Sequence, residues 1–172
     1  MSLITAVQTG LVFGGILSVA LAIIIGVTLR INPEMWLQDY PAEVKAVYGP
    51  PRRPETKRQQ RVAAIIMFGS IFVALVGAVL RLNALGDAGF WVITAAFLTM
   101  MMTFNLIDLV LIDWLWMETI KPKFVMLPGT EALLEKRYYG FHFVGFLKGT
   151  AGILIASPLL ALIGWGALAL AA

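Results

Sequence analysis

The residues with most chemistry to offer sit in the third of four apolar stretches and at the start of the fourth. Asn105 and Asp108 are three apart, and Asp113 follows five later. At about 100° per residue the three fall within an arc of about 140°, so one helix face is polar. His142, the single histidine, and Lys148 open the fourth stretch, with Tyr139 at a similar level. With Trp116 as the edge of the third stretch, Asp108 lies ~12 Å deep at the α-helical rise. A lone carboxylate at that depth costs ~2.5–3.5 kcal/mol on insertion scales, so it should face other helices, be paired or be protonated. Lys148 is the nearest cation to pair with it. An Asn105, Asp108, Asp113, His142 and Lys148 cluster admits three kinds of chemistry. It can be a polar clamp that fixes helix register, a proton or cation relay through Asp108, or an acid–base pair drawn from Asp108, Asp113 and His142. No metal site is expected, because one His and two carboxylates on different helices lack a tight ligand spacing. Haem held by His142 and one of Met100, Met101 or Met102 fails on depth. Without a single Cys the chain has no disulfide, thiolate metal site or iron–sulfur cluster, and no cofactor is expected.

These residues have to be positioned by helices that cross a membrane. The apolar stretches cover about 4–29, 62–82, 89–116 and 143–171, each at least the ~20 residues that span ~30 Å of hydrocarbon. With 60% hydrophobic and 13% charged residues, too little polar surface remains for a water-soluble globule. The expected fold is therefore all-α: one transmembrane domain over 1–172, a four-helix bundle. Of the thirteen Lys and Arg residues, only Arg81 lies outside the connections 30–61 and 117–142 or the adjoining Lys148. The positive-inside rule makes those connections cytoplasmic and both termini external. Anionic headgroups account for the basic balance, and no nucleic-acid partner is expected. Residues 1–10 lack a positive n-region, so the first stretch reads as an uncleaved span.

Small residues recur every four positions in the first span, at Gly10, Gly14, Ser18, Ala22 and Gly26, a stripe that lets another backbone approach closely. Gly145, Gly149 and Gly152, with Ala156, form a shorter stripe in the fourth span. The first and fourth helices are thus expected to be neighbours. Pro158 should bend the fourth helix. Trp91, Trp114, Trp116 and Trp165 lie toward span ends, as interfacial anchors do.

The connections should hold short amphipathic interfacial helices. Asn32, Pro33 and Glu34 supply an N-cap, a first-turn Pro and a first-turn acid, predicting a short helix through Met35, Trp36 and Leu37. A second is expected over 41–48, stopped by Gly49. Pro50, Pro51 and Pro54 around Arg52 and Arg53 predict an extended segment, after which Thr56 can cap the helix entering the second span. In the other connection, Pro128-Gly129-Thr130-Glu131 predicts a turn and a short helix carrying Leu133, Leu134, Tyr138 and Tyr139.

The order Asn105, Asp108, Asp113, then Pro128-Gly129-Thr130-Glu131, then Tyr139, His142, Gly145-Phe146 and Gly149 resembles a group of small four-helix bacterial membrane proteins without assigned activity. The likeness covers the C-terminal half, with an echo in Asp39-Tyr40-Pro41. It implies a bacterial inner-membrane location and a shared polar site, and no reaction. No internal repeat of the transporter kind is present. The expected role is therefore a non-catalytic accessory or structural subunit of a larger inner-membrane complex, with the lipid bilayer and other membrane subunits as partners. The alternatives are a homo-oligomeric proton or cation conductor using Asp108 and a small membrane enzyme.

Overall fold

The computed structural model describes residues 2–133 and 135–171, so Leu134 of the predicted loop helix lies outside the described residues. Four helices are long and apolar enough to cross a membrane. They are α1 (Ser2–Ile31), α3 (Thr56–Ala84), α4 (Phe90–Ile107) with its continuation Asp108–Ile120, and α5 (Tyr139–Ala171). A short helix, α2 (Ala42–Tyr48), lies between α1 and α3. Long uninterrupted helices are what apolar chain must form, because hydrocarbon offers no partner for an unbonded amide. Each ends where its sequence stops supporting it. α1 stops at Asn32, before Pro33. α3 ends at a left-handed Gly86 (φ 69°), whose neighbour Asp87 donates back to the Leu82 carbonyl at 3.0 Å. α5 runs unbroken through Pro158.

The first and fourth helices are not the neighbours their stripes predicted. α1 packs on α4 and α3, and α5 packs on α4, touching α3 only marginally. A Cβ on Gly10 would stand 2.5 Å from Thr99 Cβ and 2.6 Å from the Ala96 carbonyl, and one on Gly14 would meet the Met100 carbonyl at 2.8 Å. The stripe thus seats α1 against the α4 backbone. It continues through Ser18, whose hydroxyl donates to the Gly14 carbonyl, Ala22, and Gly26, where an added Cβ would stand 3.2 Å from the Trp116 ring. Thr99, Thr103 and Ala96 are small enough on the facing helix, so a second glycine stripe is unnecessary. On α5, Gly149 closes on Asn105, while Gly145 and Gly152 meet nothing within 4 Å. Only 11% of the most apolar window of α5 is buried, against 33% for α1. α5 is the outlying helix of the bundle.

The apolar core fills the half nearest the termini, around Leu17, Leu21, Val79, Leu82, Ile93, Phe97 and Met100. At the other end, the two long connections pack together. Leu37, Tyr40, Val44, Tyr48 and Leu127 share one buried cluster, Tyr40 donates to the Val125 carbonyl, and Glu43 pairs with Lys136 and accepts from Tyr138. Asn32 caps as expected, its side chain accepting from the Glu34 amide at 3.1 Å, although the helix that follows, Pro33–Asp39, is a 3-10 helix. Thr56 does not cap α3. Its hydroxyl donates to Glu34 at 2.8 Å and accepts from Asn32 at 3.0 Å. In the second connection, Glu131–Leu133 is a single 3-10 turn, and Tyr139 begins α5.

Glu34 is the knot of this end. Only 2% exposed, its carboxylate accepts from Tyr48, Thr56 and the amides of Arg52 and Arg53. Burial alone would raise its pKa, but these hydrogen bonds outweigh it and hold the carboxyl below its ordinary value. The 3-10 helix that Glu34 anchors carries Trp36 and Asp39 over the end of the bundle.

Candidate functional site

From Asp108 to Ile120 the third span is a π-helix. Its i→i+5 bonding, seen where the Lys121 amide donates to the Trp116 carbonyl at 2.9 Å, widens the turn to between about four and five residues, so that residues five apart come close to one angular position. Asp108, Asp113 and Glu118 recur at that spacing, so the winding brings them towards one side, where an α-helix would splay them around its circumference. A π-helix also advances less per residue than an α-helix, which leaves Asp108 shallower than the α-helical rise implies.

Two of these acids grip one histidine. His142 is 5% exposed, with Nδ1 3.1 Å from Asp113 Oδ1 and Nε2 3.1 Å from Glu118 Oε1. Glu118 is itself buried and accepts from the Tyr138 amide at 2.8 Å. A neutral imidazole has one N–H for two acceptors, so satisfying both contacts takes a second proton, held by the ring or by a carboxyl. Tyr139 stands beside this group, its hydroxyl 3.0 Å from Thr119 and its carbonyl accepting from the Trp114 indole.

Asp108, Asp113 and His142 line a cavity of about 400 Å3 that opens between the helices beneath the packed connections. Asp39 joins them from the Pro33–Asp39 helix, and among the described residues neither Lys nor Arg contributes to the lining. Desolvation, reinforced by the Asp113 carboxylate, raises the Asp39 carboxyl above its ordinary pKa. The lining reaches as far as Phe104 on α4 and Ile25 on α1. Beyond them the close-packed core closes the bundle.

The other expected residues are placed as follows. Asn105 lines the same cavity and donates to the Phe146 carbonyl at 3.2 Å and the Thr150 hydroxyl at 3.1 Å, tying α4 to α5. Asp108 accepts no hydrogen bond among the described residues. Lys148 is exposed, outside the cavity lining, and forms no ion pair among the described residues, so the expected Asp108–Lys148 pair is not made. Two lining or clamping residues were missing from the sequence-based cluster. Glu118 was read as part of a connection; its five-residue interval from Asp113 was the signal. Asp39 comes from a distant segment, and no local pattern announces its approach. Among the described residues, no three acidic or histidine groups converge in a way that would hold a metal ion. No protein family, curated protein or solved structure matches this chain.

Proposed function

We propose that this chain is a multi-pass protein of the bacterial cytoplasmic membrane that takes up and releases protons or a cation at Asp108, from the side of its two basic connections. The observation that carries this reading is that Asp39, Asp108 and Asp113 line one cavity in which His142 is the single basic group among the described residues. Carboxylates held together away from bulk water repel one another and resist ionising together, and a proton or a cation relieves both costs. The His142 clamp offsets Asp113 but leaves Asp108 without a hydrogen-bond partner among the described residues. The close-packed core beyond Phe104 favours binding and exchange at one face over an open channel. Labelling with dicyclohexylcarbodiimide, which modifies protonated carboxyls in apolar surroundings, tests the reading. Asp108 should label in a pH-dependent manner, and absence of label at every pH overturns it. The orientation, with connections cytoplasmic and termini external, rests on the distribution of Lys and Arg. Reporter fusions after residue 171 and within 52–57 test it, and a cytoplasmic C-terminus overturns it.

A subunit role is favoured by one separate observation. The outward face of α5 is apolar and unpacked, with Ile155 67% and Ile163 69% exposed, and Gly152, outside the cavity lining, is free to receive another backbone. Photo-crosslinking from Ile155 and Ile163 should give one discrete protein adduct in the membrane. Lipid adducts alone would overturn this role and leave the Asp108 reading untouched.

A further inference from the structure

The acids are only part of what lines the cavity. Trp36 reaches it from the Pro33–Asp39 helix, Phe104 from α4, and Phe141 and Phe146 from α5. Four aromatic side chains from three separate elements thus border the space that Asp39, Asp108 and Asp113 make negative. Its volume of about 400 Å3 falls within the ~300–1,000 Å3 of small-molecule sites and far exceeds the ~30 Å3 share of one water. A proton or a bare metal ion would leave most of it unfilled, and the acids do not converge as metal ligands do. An organic cation uses every part: its charge is balanced by carboxylates, and its hydrocarbon is received by aromatic faces whose quadrupole also attracts the charge.

We infer that the cavity is a binding site for an organic cation, a lipophilic amine or quaternary onium ion, seated between the carboxylates of Asp39, Asp108 and Asp113 and the rings of Trp36, Phe104, Phe141 and Phe146. This rests on the cation-binding reading of Asp108 and names the class of cation. Asp108, deepest of the three acids and without a hydrogen-bond donor among the described residues, is the counter-ion. The route in is inferred at the loop end, where α3 and α5 contribute Met67, Gly145 and Phe146 to the lining and a Cβ on Gly145 would meet nothing within 4 Å.

The test uses the full chain in phosphatidylcholine nanodiscs, with radiolabelled tetraphenylphosphonium as probe and empty nanodiscs subtracted for partition into lipid. Saturable binding at one site is expected. Asp108→Asn and Phe104→Leu should each weaken it roughly tenfold or more, while Lys148→Gln, at an exposed residue outside the cavity lining, leaves it unchanged. In the unmutated chain, tetraphenylphosphonium should also slow carbodiimide labelling of Asp108, a readout that does not depend on the variants folding. No saturable binding, or binding indifferent to both Asp108→Asn and Phe104→Leu, overturns the inference. If Asp108 still labels with pH but tetraphenylphosphonium neither binds nor protects, the organic-cation site falls and proton or small-cation uptake stands. If Asp108 neither labels nor binds the probe, both fall.

Discussion

Replacing Glu34 tests whether the membrane-end connections are a built part of the site. Glu34→Ala removes the acceptor for Tyr48 and Thr56, which are 5% and 1% exposed, and for the amides of Arg52 and Arg53. The two amides are partly exposed and can turn to water. The two buried hydroxyls cannot, and each unsatisfied buried donor costs ~1–3 kcal/mol. Relief from burying a charge offsets part of that, leaving a net loss of about 3 kcal/mol. Glu34→Gln keeps an oxygen acceptor but turns an NH2 group towards donors, and should cost about half as much. Because the folded-state pKa of Glu34 is lowered, its contribution is present above the ordinary carboxyl value of 4.5 and is lost as pH falls through the depressed value. Thermal unfolding of the purified chain at neutral pH and at pH 4 measures both effects. The unmutated protein should lose stability on acidification more than Glu34→Gln does. A Tyr48→Phe and Glu34→Gln double-mutant cycle should give a coupling of about 1 kcal/mol or more. Unchanged melting in Glu34→Ala, or zero coupling with Tyr48, would refute the knot. A functional consequence follows, since the helix anchored by Glu34 also carries Trp36 and Asp39: Glu34→Ala should weaken cation binding even where Asp108 is intact.

Two further outcomes concern the helices themselves. Gly14→Ala should destabilise the bundle by ~1–3 kcal/mol, because its Cβ would strike the Met100 carbonyl at 2.8 Å. Gly15→Ala, with nothing within 4 Å, should be neutral or slightly stabilising; equal melting shifts in the two variants would contradict the α1–α4 seat. Deleting Leu111 shortens the interval between Asp108 and Asp113 and breaks the five-residue register of the π-helix. The His142 imidazole should then lose its contact with Asp113 or Glu118, seen as a changed ring-nitrogen NMR shift, and an unaltered His142 signal would show that the winding does not set the clamp.

What the sequence made legible follows from which interactions are local. Span number and length follow from apolar runs, and the Asn32 cap from a three-residue pattern, because both depend on neighbours along the chain. The polar face of the third span was visible through Asn105, Asp108 and Asp113. Its geometry was not, because the π winding changes the angular step that any α-helical projection assumes. Glu118 therefore stayed outside the cluster although its interval from Asp113 repeats that from Asp108. Lys148 was drawn in by charge and proximity in sequence, yet its position on α5 turns it outward. Helix neighbours were misjudged for a related reason. The Gly10 to Gly26 stripe identifies a close-packing face but not its partner, and the facing Ala96, Thr99 and Thr103 are small without forming a conspicuous motif. Thr56 has the residue type of a cap, but the buried Glu34 carboxylate twenty-two positions away is the stronger claim on its hydroxyl. Asp39 and Trp36 reach the cavity only through that same long-range knot.

The measurement that bears most directly on the central claim is an infrared pH titration of the purified chain against Asp108→Asn. A protonated carboxyl in an apolar cavity has a C=O stretching band distinct from ionised carboxylates and amides. Such a band is expected in the unmutated chain, diminishing as pH rises or as an organic cation is added, and weakened in Asp108→Asn by the loss of the Asp108 contribution. A spectrum without a titrating carboxyl band, or one that Asp108→Asn leaves unchanged, would contradict proton and cation exchange at Asp108.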